Sequence, residues 1–329
     1  MSHSTLHFAT NLSVLAGALL IEAAMGYPQW LFRTMRHPVV WIGALLGWLD
    51  RNLNDNDASD LMRFSAGAFA LAIVLVIAVA PPVLALKAMA AWAPLPWVIM
   101  VLCSFLLAQR SLFSHIRSVA EALEASGLAG GREAVSHVVG RNPETLDEAG
   151  VVRAAIESLA ENFSDAVVAP SLWCLLFGLP GMLAYKTINT ADSMIGHQTR
   201  RHAAFGRAAA RLDDLVNLPA SRIAGVWLVL AALLHPKARS DAAWHTMWRD
   251  ARHHRSPNAG WPEAAIAGAL GLRLAGPRVY GASRIDDAWM GDGRAEATTA
   301  DLRRALSLYR LACGLQIAFI VALAIIVRG

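Results

Sequence analysis

Glu157, Glu161 and Asp165 recur at positions i, i+4 and i+8. On a helix that spacing puts three carboxylates on one face. Like charges one turn apart repel, so a stripe that runs into an apolar block implies a use. Divalent-cation binding is one; a general base whose pKa burial has raised is another. A solvated helix face has the same spacing, and spacing alone leaves these readings open. After the next apolar block comes Tyr185-Lys186-Thr187-Ile188-Asn189-Thr190-Ala191-Asp192-Ser193. Asn189, Asp192 and Ser193 share a helical face, with Lys186 one turn earlier. Polar groups at membrane depth are expensive and usually functional, although Asn and Ser also join helices to one another.

Two further sets follow. Arg207 and Arg211 precede the pair Asp213-Asp214 and then Asn217. Paired acids beside arginines suit Mg²⁺ held together with phosphate oxygens; an i,i+3 surface pair between Arg211 and Asp214 is the simpler use. Ser256-Pro257-Asn258 reads as a turn before a helix, with Pro262 in the helix's first turn. Free N–H groups at such a start attract phosphate or carboxylate, and Asn258 stands beside them. The sequence lacks G-x-x-x-x-G-K-[ST], H-E-x-x-H and C-x-x-C, so any nucleotide is held without the P-loop cradle.

The elements that must position these groups are written in the composition. Hydrophobic residues are 56% and charged residues 16% of the 329, with a mean hydropathy of +0.42. That is too apolar for an ordinary soluble domain, and eleven tryptophans fit membrane–water interfaces. The net charge of +4 comes without basic runs interleaved with aromatics, which argues against nucleic acid as a partner. Cys103, Cys174 and Cys313 lie far apart in apolar blocks and read as core or lipid-facing residues. No basic n-region or small-residue cleavage site marks a removable leader.

Apolar blocks fall at 10–26, 64–86, 94–109, 166–185, 222–235 and 308–327. A bilayer core about 30 Å thick needs ~20 helical residues, which 64–86 and 308–327 supply. Pro81-Pro82 reads as a stop for the second block. Gly178, Pro180 and Gly181 predict a broken or re-entrant helix in 166–185, a backbone tolerated at membrane depth only where protein or a wet cavity satisfies it. The fourteen residues of 222–235 are short for a span. Arg33, Arg36, Arg51 and Arg63 in the first loop, and basic residues in every later large loop (Arg141 and Arg294 among them), predict cytoplasmic loops. The expected architecture is all-α: a polytopic integral membrane protein, one domain over 1–329, with broken or re-entrant helices and large cytoplasmic helical loops and no strands.

Taken in order, these strings resemble the CobD/CbiB family of cobalamin biosynthesis. They are Ile156-Glu157-Ser158 with Glu161-Asn162 and Asp165, then Ala184-Tyr185-Lys186 through Asn189, Asp192 and His197. Phe205-Gly206 follows, with Arg211-Leu212-Asp213-Asp214, Asn217 and Arg222, and last Ser256-Pro257-Asn258 through Glu263. His37-Pro38-Val39 and Gly291-Asp292-Gly293 also fit, and the likeness runs over residues 12 to 327. Gly26-Tyr27-Pro28 departs from the family's usual Gly-Asp-Pro, and Asp165-Ala166 from its Asp-Gly.

The resemblance implies a bacterial inner-membrane enzyme with its active site facing the cytoplasm. Its reaction would join (R)-1-aminopropan-2-ol, or its O-phosphate, through an amide to the corrin-ring propionate of adenosylcobyric acid. ATP and Mg²⁺ would be needed, because amide formation from a carboxylate is uphill in water. Other cobalamin-assembly membrane enzymes are possible partners. On this reading Glu157, Glu161, Asp165 and Asp192 are the catalytic set. Lys186, Asn189, Arg207, Arg211 and Asn258 bind substrate or phosphate, and Asp213 and Asp214 hold the metal. A corrinoid-binding or transport protein would use the same intramembrane polar groups without turnover, a lipid phosphotransferase would consume a nucleotide-linked alcohol, and a structural subunit would tolerate loss of the acidic stripe.

Overall fold

The structure is a computed structural model and describes residues 3–28, 30, 33–34, 36–139, 143–280, 283–285 and 287–328; Arg141 lies outside them. Its helices are α1 (His3–Met25), α2 (Pro38–Leu53), α3 (Asp60–Ala88), α4 (Leu95–Ser104), α5 (Gln109–Ser136), α6 (Glu148–Phe163), α7 (Ala169–Ile195), α8 (Arg207–Leu234), α9 (Ser240–Asp250), α10 (Gly260–Leu270) and α11 (Thr299–Arg328). Six helical stretches among the described residues are long and apolar enough to cross a membrane: His7–Met25, Asp60–Ala88, Leu95–Ser136, Glu148–Ile195, Arg207–Leu234 and Thr299–Val327. The all-α polytopic expectation holds. The short block at 222–235 is the second half of α8, whose first half carries the polar face.

The chain packs as two compact units. The first comprises Met1–Ala108, Ala169–Asn217 and Val321–Gly329. In it α7 packs against α1, α2, α3 and α4. His37 caps α2, its Nδ1 accepting the Val39 N–H at 3.2 Å, and Pro38 opens the helix, where a missing N–H costs nothing. Helix α3 continues past Pro81 and Pro82 to Ala88, so these prolines do not stop it. Their fixed φ suits a helix, and what is lost is two backbone bonds, a loss that membrane helices tolerate. Helix α7 does break, at Gly178 (φ 64°, ψ −155°), a conformation open to glycine. The break frees carbonyls of the preceding turn, and Asn11 of α1 donates its amide to the Leu175 oxygen at 3.3 Å.

A buried polar knot closes one end of this unit. Asn54 donates to Asp50 at 2.8 Å and to the Arg201 carbonyl at 2.9 Å, and Arg63 donates to Asn54 at 3.1 Å. Arg201 forks onto Asp50 at 3.1 and 3.0 Å. Burial pushes the Asp50 carboxyl up, but the hydrogen bonds from Asn54 and Arg201 and the charges of Arg201 and His202 outweigh it and hold the group below the usual carboxylate range. Arg63, read from sequence as a loop charge, is therefore buried and structural. Gly67 of α3 lies against the Phe205 backbone, where any Cβ would collide with the carbonyl. Together these contacts fix the segment that leads into α8.

The second unit comprises Gln109–Val168 and Leu218–Ile320. Helix α6 packs against α5 and α10, and α9 lies on α10. Asp147 caps α6 by accepting the Gly150 N–H at 2.7 Å. A π turn, Ser164–Val168, ends α6; such turns insert an extra residue and often mark functional sites. Contrary to the strand-free expectation, β1 (Leu274–Ala275) pairs antiparallel with β4 (Trp289–Met290), and β2 (Arg278–Tyr280) with β3 (Ser283–Ile285). Strands of two or three residues are too short to leave an alternating pattern. Arg294, read as a loop charge, is exposed and donates at 2.5 Å to Asp301, which is buried at the start of α11.

Candidate functional site

The first unit gathers five of the residues singled out by sequence. Lys186, Asn189 and Asp192 come from α7, and Asp213 and Asp214 from the first two turns of α8. Helix α7 rises from an apolar, broken half into a polar end, where the i, i+3 and i+7 spacing of Lys186, Asn189 and Ser193 brings those groups to one side. Lys186, Asn189 and Ser193 line a cleft of about 520 Å³ whose facing wall is Val39, Val40 and Gly43 of α2.

Behind the cleft, Asp213 is buried and held on both oxygens. Asn217 donates to Oδ2 at 2.9 Å, and Asn189 approaches Oδ1 at 3.4 Å. Tyr185 donates to the Asn217 side-chain oxygen at 2.9 Å. The result is a relay, Tyr185 to Asn217 to Asp213, with Asn189 linking the buried carboxylate to the cleft. Buried polar chains of this kind fix one geometry when every member is satisfied. Tyr185 and Asn217 were not among the expected site residues. Their signal is the i,i+4 spacing of Asp213 and Asn217, which lets an amide reach a carboxylate on the same helix.

Asp192, Asp213 and Asp214 lie within electrostatic range of one another. Among the described residues, no three His, Cys, Asp or Glu side chains converge closely enough to hold a metal by themselves. Mg²⁺ in nucleotide-using sites takes one or two carboxylates and completes its shell with phosphate oxygens and water. The donor set here fits that kind of binding, and it does not fit a closed protein cage. Arg207 and Arg211 are exposed along α8, where their forks stand free of the buried relay.

His37 sits at the head of the same cleft wall. Its Nε2 bonds the Phe105 carbonyl at 2.7 Å while Nδ1 accepts from Val39, so the ring is neutral with its proton on Nε2. Burial lowers its pKa below the usual value; the Phe105 bond opposes this, and the charge of Lys186 adds to the lowering. Tyr27, in the departed Gly-Tyr-Pro string, packs on His37 with ring centroids 4.8 Å apart and donates to the Arg36 carbonyl at 3.0 Å.

The remaining expected residues belong to the second unit. Glu157 is buried, and its Oε1 accepts the Ala275 N–H at 2.8 Å. Ala275 has φ 57°, a left-handed conformation that costs a non-glycine residue energy, and Glu157 holds it. Glu161 is exposed and Asp165 lies half-buried in the π turn, so the stripe expected on one regular face is divided between three environments. Asn258 is buried and accepts from Ser221 at 3.2 Å and Arg222 at 3.3 Å. The Arg222 guanidinium lies 4.5 Å from the Trp261 ring. Ser256 accepts from the N–H groups of Asn258 and Ala259 at 3.1 and 3.2 Å, satisfying amides expected to be free for phosphate. Gly291 donates to Asp250 at 2.8 Å, which gives the Gly291-Asp292-Gly293 string a structural use.

A family model described as CobD/Cbib protein matches residues 15–309. The chain belongs to the CobD/CbiB family. It is 48% identical to the cobalamin biosynthesis protein CobD of a Sinorhizobium species over 321 residues, 96% of this chain and 99% of that protein. The protein of the same name from Brucella suis is 46% identical, over 96% of this chain and 98% of its own length. That of Rhodobacter capsulatus is 44% identical over 93% and 94%. No solved structure matches.

Proposed function

We propose that the chain acts in cobalamin biosynthesis as an ATP-dependent amide ligase. It would join (R)-1-aminopropan-2-ol, or its O-phosphate, to the corrin-ring propionate of adenosylcobyric acid, giving adenosylcobinamide or its phosphate. The observation that carries this reading is the cleft beside Lys186 and Asn189, backed by the buried Asp213 relay. A cation and an amide line it at the polar end of a helix that is apolar elsewhere, and the amide ties it to the buried Asp213 carboxylate.

Mg²⁺ and ATP would supply an activated phosphoryl group and neutralise its charge. Asp213 and Asp214, with Asp192 beside them, are the residues that would hold the ion. Lys186 would offer a point charge to phosphate or corrin carboxylate, and Arg207 and Arg211 would offer planar forks to phosphate. Asp192 would accept the proton that the incoming ammonium must lose before its nitrogen can attack. The rigid Tyr185–Asn217–Asp213 chain would keep the acids in place as charge changes around them. We place the protein in a bacterial inner membrane with this cleft towards the cytoplasm, where ATP is made available.

The test is direct. Purified protein is given adenosylcobyric acid, ATP, Mg²⁺ and each candidate amine, and products are read by mass. Formation of the amide with ATP consumption supports the ligase. Retention of corrinoid without any product would support a binding or transport role instead.

A further inference from the structure

We propose that the groove between α5 and α11 in the second unit binds the phosphate of an anionic membrane phospholipid, with Arg310 as its main contact. This inference is independent of the ligase reading. The groove measures about 450 Å³ and is lined by Phe113 and Arg117 from α5 and by Arg303, Ser307 and Arg310 from α11. Its helices are pinned together by the Tyr309 hydroxyl, which donates to the Gln109 carbonyl at 2.9 Å.

The depth of Arg310 is set by sequence. From Leu311 to Val327 the helix carries no charge, a length that approaches the hydrocarbon thickness of a bilayer. Arg310 is thus the last charge before the apolar stretch and stands at the headgroup level when α11 spans. Arginines at that level interact with lipid phosphates, and basic pockets between helices there select anionic lipids.

The neighbouring charges are divided unequally. Arg117 pairs with Glu121 at 3.0 Å, and Arg303 forks onto Glu124 at 2.8 and 2.5 Å. Arg310 has no carboxylate partner among the described residues and is exposed. Its guanidinium lies 5.6 Å from the Phe113 ring centroid. That contact orients the plane and leaves the N–H edge open for a bidentate phosphate contact. Ser307, one turn earlier on the same helix, adds a hydroxyl. Dissolved phosphate and nucleotides share this chemistry; the headgroup depth of Arg310 favours lipid.

The experiment uses full-length protein in detergent, titrated with phosphatidylglycerol or phosphatidylcholine and read by native mass spectrometry, with a parallel thermal melt. Phosphatidylglycerol should be retained in preference to phosphatidylcholine and should raise the melting temperature. Arg310→Gln should weaken its retention about five-fold and abolish the melting shift, and Arg310→Lys should lose part of both. Arg252→Gln, an equal charge change at an exposed site, should alter neither. Equal retention of the two lipids, or an Arg310→Gln protein that behaves as wild type, overturns the proposal. Displacement of phosphatidylglycerol by inorganic phosphate or ATP at matched concentration overturns the lipid assignment in favour of a soluble phosphate ligand.

Discussion

Tyr185 reaches across from α7 and donates its hydroxyl to the Asn217 side-chain oxygen on α8 at 2.9 Å. That bond turns Asn217 so that its amide nitrogen meets Asp213 at 2.9 Å. Helix α7 therefore controls the orientation of a carboxylate on α8 through one intervening amide. The two halves of the proposed site are one hydrogen-bonded piece.

Asp213→Asn keeps the shape and an acceptor oxygen but removes the charge. Turnover should fall at least ~100-fold, the scale of losing a group that handles protons or charge in the reaction, far beyond the modest fall in melting expected because the new amide NH2 faces one of the two amide donors. Tyr185→Phe should do the reverse in part. It leaves the buried Asn217 oxygen without its donor, at a cost of about 1–3 kcal/mol, while turnover per folded molecule drops less. Product mass yield and thermal melts on the same preparations separate the two. Unimpaired turnover in Asp213→Asn would remove Asp213 from the mechanism.

Glu157 offers a contrast. Its Oε1 satisfies a backbone N–H in a left-handed turn. Glu157→Gln retains a carbonyl oxygen for that bond and should melt near wild type, whereas Glu157→Ala strands a buried donor and should cost about 1–3 kcal/mol. A large loss of activity in Glu157→Gln without any change in melting would assign it chemistry beyond this bond.

The sequence disclosed the polar sets because they interrupt apolar blocks, where any ionisable group stands out. Lys186, Asn189, Asp213 and Asp214 were legible for that reason, and Gly178 marked the break in α7 because glycine tolerates its φ. What was illegible depends on distance along the chain. Glu157 meets Ala275 across 118 residues, and Asn258 meets Arg222 across 36. Local spacing cannot show which acid or amide a distant backbone will claim. Arg63 was misread for the same reason: the Asn54 and Arg201 groups that bury it are assembled only by the fold.

Acid should weaken the first unit through His37. Its folded pKa lies below the usual 6.5, so the unfolded chain binds the proton more readily. The stability this neutral ring contributes is complete above the unfolded pKa and is lost as pH falls through about 6.5 towards the folded value. Protonation would also remove the Nδ1 acceptor that caps α2. Melting temperature should decline below that pH in wild type, and the decline should be shallower in His37→Asn, whose side-chain oxygen can cap without titrating. Parallel profiles for the two proteins would refute a role for His37.

Two loops of the first unit must lie on one side of the membrane, because Asn54 donates to the Arg201 carbonyl. The three native cysteines are buried, so introduced thiols report cleanly. Asp57→Cys and Ala203→Cys, both at exposed positions, should label from the same face with a membrane-impermeant reagent. In the proposed orientation, which follows the positive-inside bias, that face is the cytoplasmic one. Labelling from opposite faces would break the loop pairing, and labelling of both from outside would invert the proposed orientation.

Lys186 and Arg211 differ in position and should differ in effect. Lys186 is half-buried and lines the cleft with Asn189 and Ser193, where a partly dehydrated setting strengthens its attraction for an anion. Lys186→Met should therefore raise the KM for ATP or the phosphorylated amine about ten-fold or more, the size of a lost hydrogen bond to a charged partner. Arg211 is exposed one turn before the acid pair, and its value to phosphate is its fork. Arg211→Lys retains the charge and loses the fork, so most of the phosphate-dependent activity should go. If Arg211 only binds, the loss appears in KM; if it steadies the transferring phosphoryl group, it appears in kcat. Arg252→Lys, at an exposed position, should match wild type. Wild-type kinetics in Arg211→Lys would reduce Arg211 to a surface charge and leave Lys186 as the cation of the cleft.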